Sequence, residues 1–321
     1  MPFIRRPLIA ALAAAAFTTL PLQVTQAAAP LAKSQAPGWY RMKVGAFEVT
    51  ALSDGTVALP VDKLLTGNQP AVINRLLARS YLKAPVETSV NGYLVNTGSK
   101  LVLIDSGAAG LFGPTLGKLV ANLKAAGYTP EQVDEIYITH MHPDHVGGLV
   151  ADGQRVFTNA VVRADVREGS FWLSPENLDK APADSKGFFQ GAMASLNPYV
   201  AAGKLQPFDG ATELVPGIRA VPAVGHTPGH TIYLAESEGS RIVFWGDLMH
   251  VAAVQFAMPN TTIAFDSDSK TAAPARLKNF ADAARQGYFV AGAHLAFPGI
   301  GQLRADGKGY TWVPANYQSA P

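Results

Sequence analysis

The chain carries seven histidines, all between positions 140 and 294. Four metal-capable side chains fall within six positions at His140-Met141-His142-Pro143-Asp144-His145. In locally extended backbone His140 and His142 point to the same side, so both can ligate one ion. Pro143 then fixes its φ and turns the chain, letting Asp144 and His145 face a second position nearby. Gly147-Gly148 follows and permits tight backbone approach. Two ligand sets on one short loop predict two ions roughly 3.5–4 Å apart. Three downstream segments can complete the shells: Gly225-His226-Thr227-Pro228-Gly229-His230, Trp245-Gly246-Asp247, and Ala291-Gly292-Ala293-His294. Spacing alone does not choose between His226 and His230. Nitrogen and oxygen donors without sulfur suit zinc, with cobalt, manganese or iron as alternatives. Such a pair of ions ionises bound water near neutral pH and polarises an attacked carbonyl or phosphoryl oxygen, so the expected chemistry is hydrolysis by a metal-bridging hydroxide. There is no GxSxG elbow, and Asp105-Ser106-Gly107 reads as a structural turn near the site rather than a nucleophile loop.

The elements that must position these residues alternate between strand and helix. Phe47 to Ser53, Asn91 to Asn96, Leu101 to Ile104, Val133 to Thr139, Phe157 to Ala164, Ile232 to Ala235, Ile242 to Trp245 and Tyr288 to Ala291 read as strands. Pro114 to Ala126, Val166 to Leu173, Gly187 to Tyr199 and Ala272 to Ala284 carry helix spacing. Each ligand segment follows or adjoins a strand, and loops at the carboxyl edge of a buried sheet are where α/β proteins build sites. The alternation predicts an α/β layered fold with buried sheets. Leu31 to Trp39 reads as a loose arm.

Composition narrows the function classes. With 321 residues, 48% of them apolar and 16% charged, the chain can bury a large core. Net charge is +2 with no long run of one sign, which argues against nucleic acid or a polybasic membrane patch as partner. The absence of cysteine excludes disulfides, thiolate metal sites and cysteine nucleophiles. Arg5-Arg6, the apolar run Leu8 to Leu20 and Ala27-Ala28-Ala29 together read as a signal peptide over residues 1–29, by the general or the twin-arginine route. About 13 apolar residues are too few to span a ~30 Å bilayer core. The expected mature chain, residues 30–321, is therefore a single domain, periplasmic or secreted, without a membrane segment.

The HxHxDH motif with its later histidine, aspartate and histidine resembles the metallo-β-lactamase fold superfamily. Within it, the chain is most similar to the methyl parathion hydrolases and the dihydrocoumarin hydrolases. Segments Ala51 to Lys63, Glu87 to Lys100, Gly107 to Gly117, Gly187 to Val200 and Phe297 to Gln302 carry that likeness over nearly the whole mature chain. The resemblance implies a four-layer αβ/βα sandwich. It also implies that His140, His142 and His226 hold one metal, that Asp144, His145 and His294 hold the other, and that Asp247 bridges them, while His230 hydrogen-bonds nearby. A homodimer is implied by the same relatives.

For substrate, the resemblance implies an aromatic pocket wall at Phe112, Trp172 and Phe188, suited to a flat aryl group. Leu64, His250, Ile263 and Phe265, with a shorter loop at Ala181 to Gly187, are similar to the dihydrocoumarin hydrolases instead. Bulk there narrows the pocket against a tetrahedral phosphorus and favours a planar lactone carbonyl. The expectation is a dinuclear-metal hydrolase of aryl lactones or esters, with Asp144, Asp247 and His250 catalytic and a weak organophosphate triesterase side activity. The alternative is an efficient methyl parathion-type hydrolase.

Overall fold

In the computed structural model, Pro2 and residues 29–319 are described; the expected leader falls almost entirely outside them. The chain divides after Ala36, and every helix and strand among the described residues lies in the unit Pro37–Pro321. Two sheets organise that unit. The first runs Trp39–Val44, Phe47–Leu59, Val86–Asn96, Leu101–Ile104, Glu135–Tyr137, Val161–Arg163 in spatial order, antiparallel up to Leu101–Ile104 and parallel beyond it. The second runs Thr212–Val215, Ile218–Pro222, Thr231–Ser237, Ser240–Phe244, Phe289–Ala291, Ile300–Asp306, Gly309–Pro314, with one parallel pair, Ser240–Phe244 on Phe289–Ala291.

Strand alternation divides the apolar residues among three cores, and these define four layers. Val102 and Ile104 face inward with Tyr93, Tyr137, Tyr233, Ile242 and Phe244, filling the space between the sheets. Leu101 and Leu103 face the other way, against Leu123, Trp172 and Leu196 from the helices Leu119–Ala125, Val166–Trp172 and Lys186–Ala201. On the far side, Ile232, Val243, Trp245 and Val290 pack against Phe280 and Ala283 of helix Ser269–Gln286. Because these central strands are buried on both faces they read as continuous apolar runs. The order helix, sheet, sheet, helix is the expected αβ/βα sandwich.

Several boundaries differ from the sequence reading. The helix expected over Pro114 to Ala126 is confined to Leu119–Ala125. The chain before it is held as a turn because the buried Asp54 carboxylate accepts from the N–H groups of Ala108, Gly117 and Leu119. The expected strand Phe157 to Ala164 is reduced to Val161–Arg163. The end of the presumed arm, Trp39, opens a strand paired with Phe47–Leu59. Helix Pro70–Arg79 and the hairpin Ile300–Asp306/Gly309–Pro314 were not anticipated.

Candidate metal centre

Three of the four ligand segments, and Asp105 behind them, leave the carboxyl ends of parallel strands. Leu101–Ile104 delivers Asp105, Glu135–Tyr137 delivers the HxHxDH loop, Ser240–Phe244 delivers Asp247 and Phe289–Ala291 delivers His294. His226 lies in the loop between Ile218–Pro222 and Thr231–Ser237. Gly246 has φ +51°, and a Cβ there would stand 2.7 Å from the Thr139 side chain, so only glycine lets the two loops meet. Gly148 is equally constrained, since its Cβ would lie 1.9 Å from the Ser106 carbonyl.

The seven expected ligands converge. Ligand atoms of His140, His142, His226 and Asp247 form one group within 4.8 Å of one another, and those of Asp144, His145 and His294 form a second. Asp247 stands between the groups. Its Oδ2 is 3.6 Å from His140 Nε2 and 3.3 Å from His226 Nε2, and its Oδ1 is 3.1 Å from both His145 Nε2 and His294 Nε2. Asp144 Oδ2 lies 3.6 Å from His145 Nε2 and 3.5 Å from His294 Nε2.

Hydrogen bonds on the outer side of each ring fix which nitrogen faces inward. His145 Nδ1–H donates to Asp105 (2.8 Å), His226 Nδ1–H to Asp266 (2.9 Å), and His294 Nδ1–H to the Ser89 carbonyl (2.9 Å). Thr139 gives its hydroxyl proton to Asp105 and so accepts from His140 Nδ1–H at 3.1 Å. Metal-binding histidines are held this way, by an acceptor that sets tautomer and orientation. His142 instead presents Nδ1, 3.1 Å from His226 Nε2. His226 has spent its neutral-form proton on Asp266, so this close nitrogen pair requires a proton or a cation between its members. Nε2 of His140 and His145 and Oδ1 of Asp247 are buried with no hydrogen-bond partner among the described residues. Buried polar atoms are normally satisfied, and two cations shared through Asp247 satisfy all three. The residues fit a dinuclear site.

Electrostatics point the same way. Burial pushes the Asp247 carboxyl up, but the surrounding imidazoles of His294, His145, His250 and His140 overcome it and hold it well below the usual carboxylate range. Burial likewise opposes charge on His226, yet the Asp247 and Asp266 carboxylates raise it to about 9. A site that favours positive charge against desolvation favours a metal ion by the same terms.

The two histidines of the turn separate by their neighbours. His230 donates from Nδ1 to the Ala223 carbonyl and accepts the Asp247 backbone N–H at Nε2 (3.1 Å), so both nitrogens are consumed. Burial, with His226 adding to it, pushes its pKa down to about 3, so it stays neutral. His230→Ala should retain two ions per chain yet melt earlier, because it strands a buried N–H and a buried carbonyl at about 1–3 kcal/mol each. Loss of an ion on metal analysis would make His230 a ligand instead.

Beside the metal cluster is a cleft of about 400 Å³ whose lining includes His142, Trp172, Phe188 and Phe265. Trp172 meets His142 edge-on with ring centroids 5.1 Å apart, and Phe188 lies 4.8 Å from His142 and 6.1 Å from Phe265. The other expected pocket residues are not part of this cleft's lining. Phe112 packs with Val90, Ala108 and Leu116. Leu64 and Ile263 join the core of Val61, Leu65, Ile73 and Val254, where strand Thr262–Ile263 pairs with Leu65–Thr66. His250 is buried at the metal cluster, its Nε2 3.0 Å from Asp247 Oδ2 and its ring stacked on His294 at 5.3 Å.

Sequence reasoning missed the acceptors behind the ligands. Asp266, 40 residues from the histidine it holds, gave no local signal. The same is true of Glu168, fully buried between two ligand loops. Asp105 was read as part of a turn near the site; its carboxylate is what orients His145.

Comparison with known proteins agrees with this architecture. A model of the metallo-beta-lactamase superfamily matches residues 85–283. An N-acyl homoserine lactonase of Bacillus sp is 29% identical over 167 residues, covering 46% of this chain and 58% of its own length. The chain spans about half the length of the curated relatives it matches. Among solved structures, hydrolase AbOPH of the beta-lactamase superfamily is 40% identical, with a TM-score of 0.85 over 89% of this chain and 100% of its own. The dizinc quorum-quenching lactonase AidC, in complex with a product, is 25% identical with a TM-score of 0.76 over 88% of this chain and 99% of its own. The matched model, spanning more than half of the residues, and the shared architecture place this chain in the metallo-beta-lactamase superfamily.

Proposed function

We propose that the chain is a dinuclear-metal hydrolase that opens lactones, with aryl lactones of the dihydrocoumarin kind as the preferred class and organophosphate triesters as a slow side reaction. One observation carries the proposal: two ligand sets share Asp247, and the cluster adjoins an aromatic cleft through the ligand His142. Two divalent ions, zinc by the donor set, would supply activated water and polarise the attacked carbonyl. The lactonase names among the relatives support a cyclic ester over other electrophiles.

The protein's own groups would then do the following. Trp172, Phe188 and Phe265 bury the aryl ring beside His142. His250, its Nε2 3.0 Å from Asp247 Oδ2, would exchange that contact for a hydrogen bond to a substrate or product oxygen. Asp144, the most accessible of the ligands with 13% of its side chain exposed, would take the proton released by the attacking water and pass it to the departing ring oxygen. We further propose export with removal of residues 1–29; amino-terminal sequencing of the periplasmic protein should begin near Pro30.

The test is paired kinetics on one metal-quantified preparation, comparing kcat/KM for dihydrocoumarin and methyl paraoxon before and after chelation. Lactone well ahead, with both activities lost on metal removal, is the expected result. Phosphotriester ahead would replace the substrate assignment, and turnover in protein shown to be metal-free would remove the mechanism. Trp172→Ala should raise KM for aryl lactones roughly tenfold with little change in kcat, from about 1–1.5 kcal/mol of lost aromatic contact. An unchanged KM would make Trp172 core only.

A further inference from the structure

Helix Val166–Trp172 touches the metal cluster at two points one turn apart. Trp172 packs edge-on against the ligand His142. Glu168, fully buried, accepts the Met141 N–H at Oε2 (2.9 Å) and the Gly229 N–H at Oε1 (2.7 Å). Met141 separates the ligands His140 and His142, and Gly229 lies in the turn that carries His226. The carboxylate therefore clamps the two loops that supply all three histidines of one ligand set. It touches no backbone of the Asp144, His145, His294 set, whose outer support comes from Asp105 and Ser89. A buried carboxylate is costly unless its charge is used. Burial raises the Glu168 carboxyl, and the Met141 and Gly229 N–H groups and the nearby His226 oppose that shift.

We propose that Glu168 is a positioning residue for the His140, His142, His226 ion, and that it couples that ion to the cleft wall through its own helix. This rests on the two-ion reading above. Glutamine keeps the shape but can accept only one of the two N–H groups with its carbonyl; its amide must then face the other N–H, donor to donor. One loop is released in consequence.

The experiment measures metal content and competitive chelator titration of holoprotein for wild type, E168Q, E168D and D105N. Wild type should hold two ions. E168Q should keep one tightly and bind the other 10–100-fold more weakly, the loss typical when the outer support of a ligand is removed. D105N removes the acceptor of both His145 Nδ1–H and the Thr139 hydroxyl behind His140, so it should weaken both ions and serves as the unselective comparison. In E168Q kcat should fall with KM for an aryl lactone nearly unchanged, and far-ultraviolet circular dichroism should match wild type. Should E168Q fail to fold, E168D, which retains the charge but withdraws it by one methylene, decides by the same one-ion weakening. Two ions held as tightly as in wild type, or parallel loss of both, would overturn the proposal. A wild type that holds fewer than two ions would instead overturn the dinuclear reading itself.

Discussion

Asp247→Ala is expected to abolish hydrolysis and to leave at most one tightly held ion. Among the described carboxylates, Asp247 is the one whose two oxygens reach both ligand groups, lying 3.1–3.6 Å from four ligand imidazoles. Removing it takes away the shared ligand and the negative charge that offsets both ions. Four buried imidazoles are then left to face two dications without a carboxylate between them. Pre-organised charge at a reacting centre is worth about 10²–10³ per donor, and a ligand common to both ions should exceed that, giving a loss of at least about 10³ in kcat/KM. Metal analysis after dialysis and initial rates at saturating zinc check this together. Wild-type turnover with two bound ions would mean that Asp247 does not bridge.

The second large effect is on stability and arises away from the ligands. Arg276, on helix Ser269–Gln286, is 1% exposed and donates to the carbonyls of Leu248 (2.6 Å), Pro259 (3.1 Å) and Thr261 (2.6 Å). These carbonyls bracket the loop that follows Asp247 and contains His250. Gln255 reinforces the loop from inside, accepting from the His250 and Val251 N–H groups and donating to the Thr261 carbonyl. Burial lowers the pKa of Arg276, and the Asp266 carboxylate opposes that shift. Arg276→Met keeps much of the volume but strands the buried Leu248 and Pro259 carbonyls, each at about 1–3 kcal/mol before relaxation, and leaves Thr261 to Gln255 alone. A net loss of about 3–5 kcal/mol and a fall of roughly 10 °C in Tm follow. Because Asp266 also orients His226, zinc affinity should fall as well. Calorimetry on metal-loaded protein reads the first effect and chelator competition the second. A Tm within about 2 °C of wild type would show that the loop does not depend on this arginine.

Some of this protein was legible in the residues alone. HxHxDH could be read because four donors sit on one loop, so their mutual distance is set by local backbone geometry. The strands before Asp105, His140, Asp247 and His294 could be read because a strand buried on both faces is a short apolar run closed by polar residues, as in Leu101–Ile104 and Ser240–Phe244. The edge hairpin Ile300–Asp306/Gly309–Pro314 escaped notice because the first strand ends in exposed residues and the second is nowhere fully buried.

What the sequence could not decide depended on partners distant along the chain. His226 and His230 share one turn and one chemistry. Asp266 turns the first inward, whereas Ala223 and the Asp247 backbone occupy the second. Asp105, Glu168 and Asp266 are ordinary acidic residues until folding buries them against ligand loops 27 to 61 positions away. The apolar pocket candidates divided in the same way. Trp172, Phe188 and Phe265 line the cleft while also packing against cores, whereas Ile263 is buried in a smaller core and Leu64 and Phe112 are partly buried against such cores. Hydrophobicity marks a side chain for burial without stating against what, and only the packing of layers determines whether it meets another side chain or a ligand.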